Sequence, residues 1–127
     1  MEARVVRSVV MRLVILCLAA SLAAFAADVT GKWKADIDTQ IGVQNYTYDF
    51  KVDGKKLTGK AANQSSSSEI SEGSVDGNTI RFVENFEYQG MTIRIEYAGK
   101  FDGTDTIQFS RKVAEFAVED FPAKRVK

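Results

Sequence analysis

The sequence predicts an all-β fold: an eight-stranded antiparallel up-and-down β-barrel. Three observations carry that prediction. Apolar and polar residues alternate with period two through most of residues 31–126, as they do in strands with one buried and one wet face. Glycine-bearing turn pairs interrupt the alternation at regular intervals. No stretch shows a 3.6-residue apolar period with capping residues, so nothing reads as helix.

The first strand, 31–38, sets Trp33, Ala35 and Ile37 against Lys32, Lys34 and Asp36. The second, 43–52, places Tyr46, Tyr48, Phe50 and Val52 on one face and Asn45, Thr47, Asp49 and Lys51 on the other. A third at 55–62 and a fourth at 68–75 flank 62–68, whose four consecutive serines read as the longest polar loop. The fifth, 78–88, lines up Ile80, Phe82, Phe86 and Tyr88, with Glu84 among them. The sixth, 91–101, is the clearest: Met91, Ile93, Ile95, Tyr97, Gly99 and Phe101 alternate with Thr92, Arg94, Glu96, Ala98 and Lys100. The seventh and eighth, 106–113 and 116–126, complete the set. Asp53-Gly54, Asp76-Gly77, Gln89-Gly90 and Asp102-Gly103 separate successive runs, as hairpin turns do.

Strands joined by short connections must hide a common apolar face. Without helices, about 100 residues can do so by closing into a barrel, which also removes exposed sheet edges. A two-sheet sandwich would fit the same periodicity. A Greek key, however, needs a long return connection, and every connection here reads as a hairpin.

Residues 1–26 differ from the rest. Arg4, Arg7 and Arg12 precede the apolar run Leu13–Ala20, and Ala24-Phe25-Ala26 offers small residues at a cleavage site. This reads as a signal peptide removed before Ala27, leaving one domain over 27–127 in a secreted or periplasmic location. Without Glu2, Arg4, Arg7 and Arg12, the formal charge moves from zero to −2. Cys17, the only cysteine, leaves with the leader, and Val14-Ile15-Leu16 lacks the small residue of a lipidation signal.

The remaining chain has neither Cys nor His. That excludes a disulfide, a thiolate or imidazole zinc site, and any Ser-His-Asp or Cys-His nucleophile. No metal or cofactor is expected. A charge of −2 without a basic stripe argues against nucleic acid. Short strands with dense mixed charge on the polar face argue against an outer-membrane barrel, and no membrane span is expected.

Gly31-Lys32-Trp33 opens the first strand. This G-x-W resembles the opening of lipocalins, fatty-acid-binding proteins and avidin-like proteins, in which the Trp closes one barrel end beside a basic residue of the last strand. The resemblance implies that Trp33 and Arg125 form that closure. Leu57-Thr58-Gly59, Val75-Asp76-Gly77-Asn78-Thr79-Ile80 and Tyr97-Ala98-Gly99-Lys100 resemble phrases of small secreted bacterial lipocalin-like (calycin-type) β-barrel proteins. The likeness spans nearly all of 27–127 and speaks for fold more than for activity. Further lipocalin motifs and the accompanying helix are missing, and the chain is shorter, which argues against a large cavity.

Glu84 and Arg111 are the informative residues, because both fall in apolar registers. A carboxylate between Phe82 and Phe86 is desolvated unless a cation pairs with it. The two side chains suit either an internal ion pair or a polar spot for a ligand head group; in fatty-acid-binding barrels an interior Arg holds a carboxylate. Tyr46, Tyr48 and Tyr97 share their face, and buried hydroxyls need partners. The sequence therefore leads to an exported monomeric barrel that binds a small apolar or amphiphilic ligand through Tyr46, Tyr48, Glu84, Tyr97 and Arg111. A barrel filled by its own aromatics, acting as a structural or interaction module, fits the same residues. The alternative is a glycoside hydrolase acting on extracellular polysaccharide, with Glu84 as one of two catalytic carboxylates, since that chemistry needs no His.

Overall fold

The computed structural model describes residues 27–103 and 105–127. The expected leader, with Arg4, Arg7, Arg12 and Cys17, lies outside them. The strands are β1 (Gly31–Thr39), β2 (Gly42–Asp53), β3 (Lys56–Ala62), β4 (Ser67–Glu69), β5 (Ser71–Asp76), β6 (Thr79–Tyr88), β7 (Met91–Asp102), β8 (Thr106–Val113) and β9 (Ala117–Arg125). Each pairs antiparallel with its neighbours. β2 meets β3 and β9 returns to β1, so the sheet closes on itself. β4 and β5 share one position in the wall, giving an eight-stranded barrel. No described helix is long and apolar enough to cross a membrane.

The period-two pattern sets the inside. β1 buries Trp33, Ala35 and Ile37, and β2 buries Tyr46, Tyr48 and Phe50. The lumen is filled at mid-height by aromatic rings. Phe82 and Tyr97, partners across β6 and β7, stack at 4.2 Å between centroids, and Tyr48, Phe50 and Phe109 pack edge-on or tilted around them. Gly99 makes room for this filling: a Cβ there would lie 2.5 Å from the ring of Phe109, its partner on β8.

Two local details depart from the sequence reading, and the hairpin turns at Asp53-Gly54 and Asp76-Gly77 gain a definite type. The expected strand at 68–75 is two pieces, broken at Ile70. The β5–β6 register shifts between Ser71 and Ser74, and Glu72 adopts a positive φ of 53°, the signature of a bulge. The expected loop at 62–68 is a tight turn over 63–66: the Asn63 carboxamide oxygen accepts the backbone N–H groups of Ser65 and Ser66 at 2.8 and 2.9 Å. In Asp53-Gly54 and Asp76-Gly77 only the glycine is left-handed. The aspartate remains in the strand, paired with Lys56 and Thr79 respectively, and glycine takes the first loop position, as a type II′ turn requires.

The two ends of the barrel differ. At one end residues 27–30 fold under the floor. Val29 and Ala27 are buried, and the Ala27 N–H bonds the Gly77 carbonyl. Trp33 is fully buried and donates its Nε1–H to the Val29 carbonyl at 2.9 Å. The Arg125 guanidinium lies 4.5 Å from the Trp33 ring centroid and donates to the carbonyls of Thr30 and Asp28. The other end is open, and the wall there has a short seam. β1 pairs β9 only through Trp33–Arg125 and Lys34–Lys124. The Val126 N–H bonds Lys32, whereas Arg125 turns its N–H to Asp105. Even-numbered residues of β9 therefore face β1, and beyond Lys124 the next in line to donate is Pro122, which has no N–H. The ladder stops there.

Candidate functional site

A polar layer crosses the barrel above the aromatic filling, built by strand register. Tyr97 stands opposite Arg111 across β7 and β8, and Arg111 opposite Glu119 across β8 and β9. Glu84 sits on β6 two residues beyond Phe82, on the same face. Arg111 donates Nε–H to Glu119 at 2.6 Å and Nη1–H to the Tyr97 hydroxyl at 2.9 Å. Tyr97 donates to one oxygen of Glu84 at 2.7 Å, and Tyr46 donates to the other at 2.9 Å. The Tyr97 proton is thereby committed, so the Tyr48 hydroxyl, 3.0 Å away, is the donor in the Tyr48–Tyr97 bond. Tyr97 then donates once and accepts twice, the full capacity of a phenol. No buried side-chain polar atom among the described residues lacks a partner.

Burial governs the protonation of this layer. It raises the Glu84 carboxyl above its ordinary range, against the hydroxyls of Tyr97 and Tyr46 and the charge of Arg111, which pull it down. Burial, with the neighbouring Glu84 second, pushes Tyr46 up to about 12. Tyr48 and Tyr97 are also held well above the usual phenol range, chiefly by burial. All three phenols remain donors at neutral pH. The Arg111 guanidinium also lies 5.0 Å from the Tyr46 ring centroid, within cation–π range.

Above this layer lies a cup of about 150 Å³ opening to solvent. Its walls are apolar, from Phe86, Ile93, Ile95, Val113, Phe116 and Ala117; Thr39, Gln40 and Gln44 stand on one side, and Arg111 with Glu119 supplies the charge. Exposed apolar side chains ring the mouth on three hairpins: Ile41 and Val43, Tyr88 and Met91, Phe116 and Val118.

No family model matches the sequence, and no curated protein and no solved structure matches it.

The structure thus joins all five residues picked from the sequence, Tyr46, Tyr48, Glu84, Tyr97 and Arg111, into one hydrogen-bonded layer. Only Arg111 among them borders the cup. Tyr48 and Tyr97 belong to the filled lumen, and both oxygens of Glu84 are engaged by phenols, so Glu84 presents no free oxygen to the cup. The ion-pair partner of Arg111 is Glu119; Glu84 is linked to Arg111 through the Tyr97 hydroxyl. The sequence reading misses Glu119, although it shares the inward register of Phe121 and Ala123 on β9. Trp33 and Arg125 lie at the opposite end. No cluster of three or more potential metal-ligating side chains occurs among the described residues.

Proposed function

We propose that this chain is an exported lipocalin-like binding module of the small bacterial type, and that its cup takes one small apolar or amphiphilic molecule. One observation carries the reading: an apolar cup with a single guanidinium at its base, standing on a fully bonded layer. The volume sets the scale. An apolar cavity near 150 Å³ holds about one benzene-sized molecule, so the ligand is the size of a single ring or a short chain, with its polar end against Arg111. The basic residue over Trp33 supports the lipocalin-like assignment, and the leader-like residues 1–26 support export. Toluene is a suitable probe. Its titration into ¹⁵N-labelled protein should shift the amides of Ile95, Val113 and Ala117, and Val113→Trp, which fills the cup, should abolish the shifts. Absence of shifts in the folded protein, or their persistence in Val113→Trp, would sink the reading.

The apolar ring around the mouth favours a second reading, an interaction module that docks by this rim. Phe116 is 74% and Met91 65% exposed, and contiguous apolar patches mark contact sites. Met91 and Val118 stand outside the cup lining, so replacing these two with Ser would weaken such docking and leave toluene binding intact. Loss of toluene binding in the folded variant would show that the rim is part of the cup instead.

A further inference from the structure

We infer that the cup selects an uncharged ligand carrying a hydrogen-bond acceptor and discriminates against a carboxylate of the same shape, because Arg111 is already neutralised by Glu119. This deepens the reading of the cup as a ligand site and rests on it. A lone arginine in an apolar barrel would suit an anion. Here the guanidinium spends its Nε–H on Glu119 at 2.6 Å, and the Glu119 side chain is only 11% exposed. Behind Arg111, Tyr97 links it to a second buried acid, Glu84. The base of the cup therefore carries one positive charge against one or two negative ones. An incoming carboxylate would lose its water and meet a cation whose charge is spent, beside an acid of its own sign.

A cation fares no better. The acid it could reach, Glu119, is held by Arg111, and the guanidinium itself borders the cup. A neutral acceptor meets neither obstacle. Two of the five guanidinium N–H groups are engaged by Glu119 and Tyr97. Tyr46 stands beside the guanidinium, and because Arg111 borders the cup a carbonyl or ether oxygen there can accept from one of its other N–H groups. The apolar walls take the body of the molecule.

Three planar isosteres of single-ring size separate the possibilities: benzamide (neutral), benzoate (anionic) and benzamidinium (cationic), with toluene as the apolar reference. Calorimetric or NMR titration of the intact protein near pH 7 should give benzamide at least about tenfold tighter than benzoate and benzamidinium, about 1.4 kcal/mol, and tighter than toluene. Glu119→Gln frees the guanidinium and should move the benzamide-to-benzoate ratio toward benzoate. Benzoate or benzamidinium binding as tightly as benzamide to the wild type overturns the inference, with or without a folded Glu119→Gln protein. So does a folded Glu119→Gln protein whose ratio is unchanged. Toluene binding as tightly as benzamide overturns the inference and leaves the cup standing as an apolar site. Failure of all four to bind overturns the cup reading and this inference with it.

Discussion

Glu84 shows how one side chain can be legible in a sequence while its surroundings are not. Its position between Phe82 and Phe86 marks it as inward, and the same logic marks Arg111 beside Phe109. That they do not touch follows from register across three strands, which alternation alone leaves undetermined. The raised Glu84 pKa has a definite consequence. A carboxyl whose folded pKa exceeds its unfolded value binds more protons when folded, so stability falls as pH rises from the ordinary carboxylate range through the raised value. Below and above that window its contribution is flat. Urea unfolding over this range should show the downward slope in the wild type, and Glu84→Gln should lack that component. At Arg111, replacement with Met leaves Glu119 unpaired and Tyr97 short of a donor. Breaking a buried pair costs ~3–5 kcal/mol; with Glu119 partly exposed, the measured loss should fall at or below the low end of that range.

At the scale of strands, periodicity is a strong guide wherever both faces differ, and β1, β2, β6, β7 and β8 follow it closely. It weakens along 63–76, where serine, glycine and glutamate offer neither a clear apolar face nor a helix alternative. There the side chains no longer fix the register, and the bulge at Glu72 and the Asn63 turn decide the path. The last strand is legible through Glu119, Phe121 and Ala123, but its pairing with β1 is shortened by a single Pro122. Gly99 tests the packing of β7 against β8. Gly99→Ala places a methyl against the Phe109 ring, and overpacking of this kind costs ~1–3 kcal/mol. Shrinking the ring in the double variant Gly99→Ala, Phe109→Leu should make the two losses less than additive in a double-mutant cycle.

Across the whole molecule, stability rests on the closed sheet and the aromatic filling, because residues 27–127 contain no cysteine. Their urea midpoint should be the same with and without a thiol reductant; a shift would require a cross-link that this sequence cannot make. The open and closed ends share that core, yet their walls are tied differently. Residues 27–30 brace the floor end, while the mouth end lacks β1–β9 pairing beyond Lys34 and Lys124. This gives the cylinder a preferred line of parting, a zip left undone at the top. Amide hydrogen exchange should be fastest at Asp36, Asp38, Val118 and Asp120, on the facing flanks of that line, and slow at Tyr48 and Tyr97. Pro122→Thr returns the missing donor opposite Asp36 and should slow exchange along both flanks. A guest too large for the resting cup would enter by parting the staves along this line, so the proline that stops one ladder also sets how far the vessel can widen.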